Sequence, residues 1–305
     1  MKIGYFADGP WSHKAIELLV GIVDVAFIVP RYDTQDPILR EWAEKLDVPY
    51  KPEENVNSDT FVKWVKGQDA DLLISMSFNQ ILKRDILDIA PLGFINCHAG
   101  ALPFYRGRNP LNWVLINGET EFGITVHYID EGIDTGDIIA QELFNISPED
   151  DYSSLLELAI SECAKVLFKA VSQLKEGAIT RVKQSSISPV GSYFGRRIEG
   201  DEIIDFRWAA TRVHNFVRAI TLPGPGARCW YRNQQIAILR CELIDGAITY
   251  IATEGEVVGV SSRGSILKVG DSTILVTSFS YIFDGEDMRP QVPNFKIGER
   301  LIGKK

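Results

Sequence analysis

Short apolar runs alternate with amphipathic segments through the first hundred residues of the chain. Four apolar runs have the length and composition of buried strands, at residues 3–7, 23–30, 72–76 and 93–97. Three segments between them space their apolar side chains as an amphipathic helix does, at residues 12–20, 36–46 and 83–89. This alternation predicts an α/β fold with a Rossmann-like, mostly parallel sheet and helices on both faces.

The pattern continues with longer elements and then changes. A helix is predicted at residues 109–116, two strands at 123–129 and 136–144, and a long amphipathic helix at 152–175. We interpret the two strands as antiparallel neighbours. Residues 183–205 are polar and rich in serine, so we interpret them as a linker that follows a first domain of residues 1–182.

The remaining residues, 206–305, are predicted to form a small C-terminal β-barrel domain, OB-like in character. One helix ends near residue 220, and turns then separate short apolar segments. Strands are predicted at residues 229–231, 235–241, 248–252, 256–260, 266–269 and 274–279. Many short strands with turn signals between them are typical of such barrels.

Composition places the chain among ordinary globular proteins. It has 305 residues, of which 45% are hydrophobic and 24% charged, and its net charge is −9. No apolar run approaches the roughly 20 residues that span a bilayer, and the first residues are typical of a strand rather than a signal peptide. The acidic balance argues against a nucleic-acid partner, although a local basic face could still exist. Four cysteines without paired or metal-ligand spacing indicate reduced thiols in a cytoplasmic protein and no metal site.

The segment from Gly93 to Gln141 carries the chemistry of the chain. Asn96 and His98 close a predicted strand, and because they are two residues apart they project to the same side. An imidazole can accept a proton at neutral pH, and an amide can donate to a developing oxyanion. A carboxylate such as Asp134 can orient the imidazole and stabilise its charged form. The set suits attack by an amine on a carbonyl; a loop histidine, a turn-forming asparagine and a solvated acid are the alternative.

Other polar features have weaker patterns. Arg106 could bind an anion from a rigid loop, and the adjacent Arg196 and Arg197 could bind phosphate, but exposed surface arginines are the alternative for both. The acidic turn at residues 130–137 lacks the spacing of a calcium loop. His13, His127 and His214 have no partner pattern and are predicted to be structural, while Cys97 points away from its neighbours into the core. The first turn lacks G-x-G-x-x-G, so a dinucleotide is not expected.

The string His98-Ala99-Gly100-Ala101-Leu102-Pro103-Phe104-Tyr105-Arg106-Gly107 resembles the signature of the 10-formyltetrahydrofolate-dependent formyltransferases. The segments 117–119, 123–127 and 130–136 resemble it as well. In that family an Asn-x-His pair and a downstream Asp form the catalytic set. The resemblance therefore implies that Asn96, His98 and Asp134 are catalytic and that 10-formyltetrahydrofolate is the co-substrate.

The resemblance extends over nearly the whole chain and narrows the substrate. The segments 195–197, 204–206 and 214–219 look like the start of the C-terminal domain of methionyl-tRNA and sugar-nucleotide formyltransferases. Residues 109–119 resemble the sugar enzymes, notably the formyltransferase domain that acts on UDP-4-amino-4-deoxy-L-arabinose. The chain departs from the family at residues 198–200, where a sequence with proline is common, and at Gly100, where serine is frequent.

The resemblance implies transfer of a formyl group to the amine of a UDP-, dTDP- or GDP-linked amino deoxy sugar, for lipopolysaccharide or surface glycan biosynthesis. The folate would lie against Met76, Ile81, Leu82, Ile116, Asn117 and Gly118. The candidates for the pyrophosphate are Lys83, Arg106, Arg196 and Arg197. No membrane or nucleic-acid partner is expected, and the barrel could supply a homodimer contact. The alternatives are formylation of methionyl-tRNA, hydrolysis of formyl-folate and folate binding without catalysis.

Overall fold

A six-stranded sheet organises the first part of the chain in the computed structural model, which describes residues 1–285 and 287–304. In chain order the elements are β1 (Lys2–Ala7), α1 (Gly9–Leu19), β2 (Asp24–Pro30), α2 (Pro37–Leu46), α3 (Asp59–Lys66), β3 (Leu72–Met76), α4 (Arg84–Leu87), β4 (Phe94–His98), β5 (Arg106–Gly107), α5 (Pro110–Asn117), β6 (Glu121–Tyr128), β7 (Ile138–Asn145), α6 (Tyr152–Lys175), α7 (Gln184–Ile187) and β8 (Tyr193–Phe194).

The strand order of this sheet is β2-β1-β3-β4-β6-β7. The neighbours β2, β1, β3 and β4 pair in parallel, and β6 runs antiparallel to β4. The predicted mostly parallel α/β sheet is therefore confirmed. All four parallel strands end at the same edge of the sheet, where α/β proteins hold their ligands.

The parallel strands are buried because apolar side chains lie on both of their faces. On one face Phe6 contacts Phe27, Phe61 and Phe94, with ring centroids 5.0 to 6.3 Å apart. Phe61 belongs to α3, a helix that the sequence analysis did not identify. Its N-cap is Ser58, whose hydroxyl accepts a hydrogen bond from the Phe61 N–H, a common signal for a helix start.

The chain divides into two compact units. The first comprises Met1–Pro110, Phe122–Phe144 and Glu157–Phe194, and the second comprises Leu111–Glu121, Asn145–Leu156 and the described residues from Gly195 onward. Part of the segment interpreted as a linker is folded in the first unit. There β8 pairs in parallel with β5, and the stacked rings of Tyr105 and Phe194 lie 5.1 Å apart.

The second unit contains an antiparallel six-stranded sheet with the order β11-β12-β13-β10-β9-β14. Its elements after residue 195 are α8 (Ala210–Ile220), β9 (Ala227–Tyr231), β10 (Gln234–Leu243), β11 (Val257–Ser261), β12 (Gly264–Lys268), β13 (Thr273–Tyr281) and β14 (Leu301–Ile302). The sheet curls into a half-barrel, which agrees with the predicted small C-terminal barrel.

One predicted strand of this unit is wrong. Residues 248–252 form no strand, and Ile248 and Ile251 are 72% and 98% exposed. The segment is fixed by single hydrogen bonds, such as that from the Tyr250 N–H to the Asp271 carbonyl. The pattern of its apolar side chains is typical of a strand, but these side chains have no sheet face to pack on.

Candidate active site

Strands β4 and β6 place four polar side chains on one face of the first sheet. Asn96 and His98 alternate along β4, and the antiparallel register sets His127 opposite Asn96 and Thr125 opposite His98. Directly opposed residues of antiparallel strands present their side chains on the same face. The sequence-predicted pair is therefore brought together with two polar residues of the neighbouring strand.

The His98 imidazole is buried, with 8% of the residue exposed, and its orientation fixes its tautomer. The Nε2 atom lies 2.7 Å from the carbonyl oxygen of Tyr105. Since a carbonyl only accepts, Nε2 carries the proton, and in the neutral ring the lone pair resides on Nδ1. That Nδ1 atom lies 3.7 Å from Oδ2 of Asp134.

Burial lowers the pKa of His98 below its ordinary value, because the charged imidazolium loses its hydration. The Asp134 carboxylate and the hydrogen bond to Tyr105 act in the opposite direction without overcoming the effect of burial. His98 is therefore neutral near pH 7 and can accept a proton at Nδ1.

Asp134 lies in the turn between β6 and β7 and has left-handed backbone geometry, with φ of 53°. Its Oδ2 atom accepts a hydrogen bond of 2.9 Å from the Gly107 N–H, and its Oδ1 atom lies 3.5 Å from Nε2 of His127. Burial alone would raise the pKa of this carboxyl. The Gly107 N–H and the two imidazoles in their protonated form, which then donate to or attract the carboxylate, outweigh that effect and hold the pKa well below its usual range. Asp134 is therefore a carboxylate at every pH where the fold is expected to function.

His127 belongs to this cluster, although its sequence pattern predicted a structural role. Its Nδ1 donates to the Tyr128 carbonyl at 2.7 Å, so in the neutral ring Nε2 is free to accept from the Asn96 amide at 3.3 Å. The signal was present in the alternation of strand 123–129, where Thr125 and His127 are the two polar residues of an apolar strand. Sequence alone did not give the register that sets His127 beside Asn96.

Gly100 leaves the space that the His98 ring occupies. A Cβ atom at this position would lie 2.6 Å from Nε2 of His98 and 2.8 Å from the Tyr105 carbonyl oxygen. Both distances are too short for any side chain. The glycine that departs from the family pattern thus allows the imidazole to lie against the loop backbone.

The loop after β4 is held by Thr125. Its hydroxyl donates to the Gly100 carbonyl at 2.7 Å and accepts from the Leu102 N–H at 3.2 Å. Further along the loop, Tyr105 has left-handed backbone geometry, with φ of 58°. Strained non-glycine residues cluster at functional sites, and here two of them, Tyr105 and Asp134, face the same imidazole.

Arg106 is held by protein groups in the first unit. Its Nε and Nη2 atoms donate to Oε1 of Gln184 at 3.0 and 2.7 Å, and Nη1 donates to the Val190 carbonyl at 3.2 Å. The guanidinium group that was predicted to bind the pyrophosphate therefore donates its hydrogen bonds to protein groups of this unit. The other candidate from the same unit, Lys83, has an exposed side chain and precedes α4.

The remaining predicted residues are distributed over both units. Met76 ends β3 and is buried, Ile81 is 77% exposed, and Leu82 packs in the phenylalanine-rich core. The second unit contains Ile116 and Asn117 at the end of α5, Gly118 after it, and the arginine pair. Arg196 is exposed, while Arg197 is half-buried and donates to the Asp201 carbonyl.

Within residues 1–285 and 287–304, no group of three or more histidine, cysteine or acidic residues could hold a metal ion. None of the helices in that part of the chain is long and apolar enough to cross a membrane. The four cysteines are free and buried.

The geometry of the site supports proton transfer at Nδ1 of His98. A proton that arrives there gives an imidazolium 3.7 Å from a carboxylate, which stabilises the new charge. The Asn96 amide lies on the same face and can donate to an oxygen that becomes negatively charged. An imidazole base, a fixed carboxylate and an amide donor together suit an addition to a carbonyl carbon.

Two family models match the chain. The model described as formyl transferase matches residues 22–171, and the model of the formyl transferase C-terminal domain matches residues 198–281. The chain is also similar to an N-formyltransferase from Helicobacter canadensis, solved in complex with folinic acid and dTDP-3-aminofucose. The TM-score is 0.67 and the identity 20%, over 91% of this chain and 99% of that one.

Two further solved structures have the same fold. WlaRD, a sugar 3N-formyltransferase solved with dTDP and 5-N-formyl-tetrahydrofolate, matches with a TM-score of 0.68 and 22% identity, over 91% of this chain and 97% of that one. A likely sugar N-formyltransferase from Mycobacterium tuberculosis matches with a TM-score of 0.58 and 22% identity, over 72% of this chain and 87% of that one.

Proposed function

The chain belongs to the formyl transferase family, and from that premise we propose that it transfers the formyl group of 10-formyltetrahydrofolate to the amine of a nucleotide-linked amino deoxy sugar. The observation that carries this proposal is the cluster of His98, Asp134 and Asn96 at the edge of the parallel sheet. A neutral imidazole 3.7 Å from a carboxylate is the arrangement that accepts a proton from an attacking amine.

The sugar class is supported by the structures of similar length. Two sugar N-formyltransferases are covered over 97% and 99% of their chains, and both were solved with a folate and a dTDP group. The resemblance of residues 109–119 to the sugar enzymes and the net charge of −9 agree with this choice. A methionyl-tRNA substrate is the second candidate, because residues 195–197, 204–206 and 214–219 also resemble the start of the C-terminal domain of methionyl-tRNA formyltransferases. It would require a basic face for the phosphate backbone.

In the proposed reaction the substrate amine attacks the formyl carbon and forms a new C–N bond. The Asn96 amide donates to the oxyanion of the tetrahedral intermediate. His98 takes the amine proton at Nδ1, directly or through water, beside the Asp134 carboxylate. The bond from the formyl carbon to N10 then breaks, and N10 receives the proton from His98, so that tetrahydrofolate and the formamide are released.

The binding contacts are part of the proposal. Met76, Ile81, Leu82, Ile116, Asn117 and Gly118 would contact the folate, and Lys83, Arg196 and Arg197 the pyrophosphate. We propose a catalytic domain of residues 1–182, a connecting segment of 183–205 whose first part is folded in the first unit, and a C-terminal domain of 206–305. The reaction would take place in the cytoplasm, in agreement with four reduced thiols. The barrel would support a homodimer, and the product would enter a lipopolysaccharide or other surface glycan.

The test is a formyl-transfer assay with 10-formyltetrahydrofolate. It measures tetrahydrofolate release with UDP-, dTDP- and GDP-linked amino sugars, with methionyl-tRNA in parallel. Turnover on an amino sugar and none on tRNA is the expected result, and it identifies the nucleotide and the sugar.

Turnover on tRNA alone would overturn the sugar assignment while keeping the chemistry at His98. Release of tetrahydrofolate and formate without an acceptor would indicate hydrolysis instead. Asp47→Asn is a suitable control variant for the assays with amino sugars, with tRNA and without an acceptor. Asp47 is the C-cap of α2 and lies outside the cluster of His98, Asp134 and Asn96.

A further inference from the structure

A buried glutamine connects three parts of the first unit that surround the candidate site. Gln184 begins α7 and is 3% exposed. Its Oε1 atom accepts from Nε and Nη2 of Arg106 at 3.0 and 2.7 Å. Its Nε2 atom donates to the carbonyl oxygens of Asp134 and Gly136 at 2.7 and 2.8 Å.

The four partner atoms, from three residues, leave only one orientation for this amide. Guanidinium groups only donate and carbonyl groups only accept, so the amide oxygen must face Arg106 and the nitrogen must face the turn. A side chain without both a donor pair and an acceptor at these positions would leave buried polar groups unpaired. Such groups destabilise the folded protein, because they have lost their hydrogen bonds to water. The residue type is therefore specified by its surroundings.

These hydrogen bonds close a ring around Asp134. Gln184 holds the backbone carbonyl of Asp134, and the Gly107 N–H holds the carboxylate at 2.9 Å. Gly107 follows Arg106 directly, and Arg106 is bound to Gln184. The two ends of Asp134 are thus fixed by adjacent residues of β5 and by one glutamine.

The ring of hydrogen bonds holds Asp134 in a strained backbone conformation. Its φ of 53° lies in the left-handed region, which is unfavourable for a residue with a side chain. Such a conformation persists only when its surroundings hold it. If the turn relaxed, the carboxylate would leave its position 3.7 Å from Nδ1 of His98.

We propose that Gln184 is a positioning residue for the reaction, which holds the Asp134 carboxylate beside His98, and that Arg106 supports Gln184 rather than the substrate pyrophosphate. The inference rests on the proposed function in so far as it concerns turnover. Neither side chain touches the reacting atoms; both act through the conformation of the turn.

Two substitutions test this role. Gln184→Glu keeps an acceptor for Arg106 but removes both donors to the turn, and Gln184→Met keeps the length and removes every hydrogen bond. We expect kcat to fall on the order of 10- to 100-fold in both variants, because a small displacement of a catalytic group has effects of this size. The KM for the sugar nucleotide should change by less than about threefold. Ser186→Ala, on the exposed part of α7, is the control and should keep both constants.

A substrate-free measurement tests the same ring. The Asp134 carboxylate raises the pKa of His98 against the effect of burial. Displacement of this carboxylate should therefore lower the pKa of His98 further in Gln184→Met, as measured by NMR titration of the imidazole. Loss of stability without a change of position would leave this pKa as it is in the parent protein.

Arg106→Met decides between support and substrate binding. If Arg106 supports Gln184, its kcat loss should not add to that of Gln184→Met, and the coupling appears in a double-mutant cycle. A raised KM with unchanged kcat would instead assign Arg106 to the substrate. A folded Gln184→Met with unchanged kcat and an unchanged His98 pKa would overturn the proposal. Absence of formyl transfer in the parent protein, with the His98 shift still present, would refute the proposed function and leave the positioning role standing.

Discussion

At the scale of single residues, the protonation of His98 sets the pH dependence of the site. The base must be neutral, so activity rises with pH through the pKa of His98. Burial lowers that pKa, the neighbouring His127 lowers it further, and Asp134 raises it in part. We therefore expect the acid limb of kcat/KM to lie below pH of about 6.5, the ordinary value for a histidine.

In the Asp134→Asn variant the acid limb should move in a direction that can be stated in advance. Without the carboxylate, the charge that raises the pKa of His98 is gone, so the acid limb should move to still lower pH. At the same time kcat should fall, because the imidazolium loses its partner. The measurement is kcat/KM from about pH 5 to pH 8 in the parent and the variant. An acid limb that moves to higher pH in Asp134→Asn would contradict the assignment of His98 as the base.

His98→Ala tests the same assignment by removing the imidazole. The loss of a general base lowers turnover by roughly two to four orders of magnitude. We expect kcat to fall by that amount, with a much smaller change in KM, because the imidazole acts on the proton in transfer. Near-normal turnover in this variant would exclude His98 from the role.

Gly100 is a residue whose effect comes from the absence of a side chain. In Gly100→Ala the new Cβ would lie 2.6 Å from Nε2 of His98, so the ring or the Tyr105 carbonyl must move. The hydrogen bond that fixes the tautomer would weaken, and we expect kcat to fall by roughly 10- to 100-fold. The control is Gly67→Ala, where the nearest atom is 3.4 Å away. Equal effects of the two substitutions would show that the contact with His98 does not matter.

At the scale of elements, a buried lysine holds the end of β12. Lys268 is fully buried, and its Nζ donates to the carbonyls of Val269 and Gly270, with the ring of Tyr250 4.8 Å away. Lys268→Met keeps the length but leaves two carbonyls without this donor, so we expect a loss of about 1–3 kcal/mol of stability.

The measurement is chemical denaturation of this variant beside Lys296→Met, whose side chain is exposed and which should be close to neutral. A Lys268→Met protein as stable as the parent would mean that other groups satisfy the two carbonyls.

Elements also show where the sequence was and was not sufficient. The bounds of α6 at residues 152–175 agree with the prediction, because a long amphipathic helix repeats its signal over many turns. The role of Gln184 was invisible, since it depends on a contact with Arg106 across 78 positions of the chain. Periodicity reports how one element faces the core, and it contains no information on which distant elements meet.

At the scale of the whole molecule, the alternation of strands and helices predicted the parallel sheet, and the strand ends predicted where Asn96 and His98 lie. Asp134 was assigned through the family resemblance, because nothing in its local pattern distinguishes it from other acidic residues of the same turn. His127 required the β4–β6 register. Sequence thus identified the residues that the strand ends expose, and tertiary structure was needed for those that support them.

Acid stability is the property that depends on groups throughout the chain. Burial lowers the pKa of His98 and of His214, so the unfolded chain binds protons more readily than the folded one below about pH 6.5. The carboxyls of Asp134 and Glu299 also have lowered pKa values, that of Glu299 falling from 4.5 to about 2, where a hydrogen bond from Tyr231 has the largest effect. Their stabilisation is complete above the unfolded pKa and is lost as the pH falls through the folded one.

Both effects have the same sign, so the melting temperature should decrease from pH 7 downward and more steeply below about pH 4.5. Glu299→Gln removes a titrating carboxyl and should reduce the slope only in the lower range, since no imidazole is changed. The measurement is the melting temperature of parent and variant between about pH 3 and pH 7. A melting temperature that is constant down to the carboxyl range would mean that burial does not lower the histidine pKa values, and it would also weaken the argument that His98 is a neutral base.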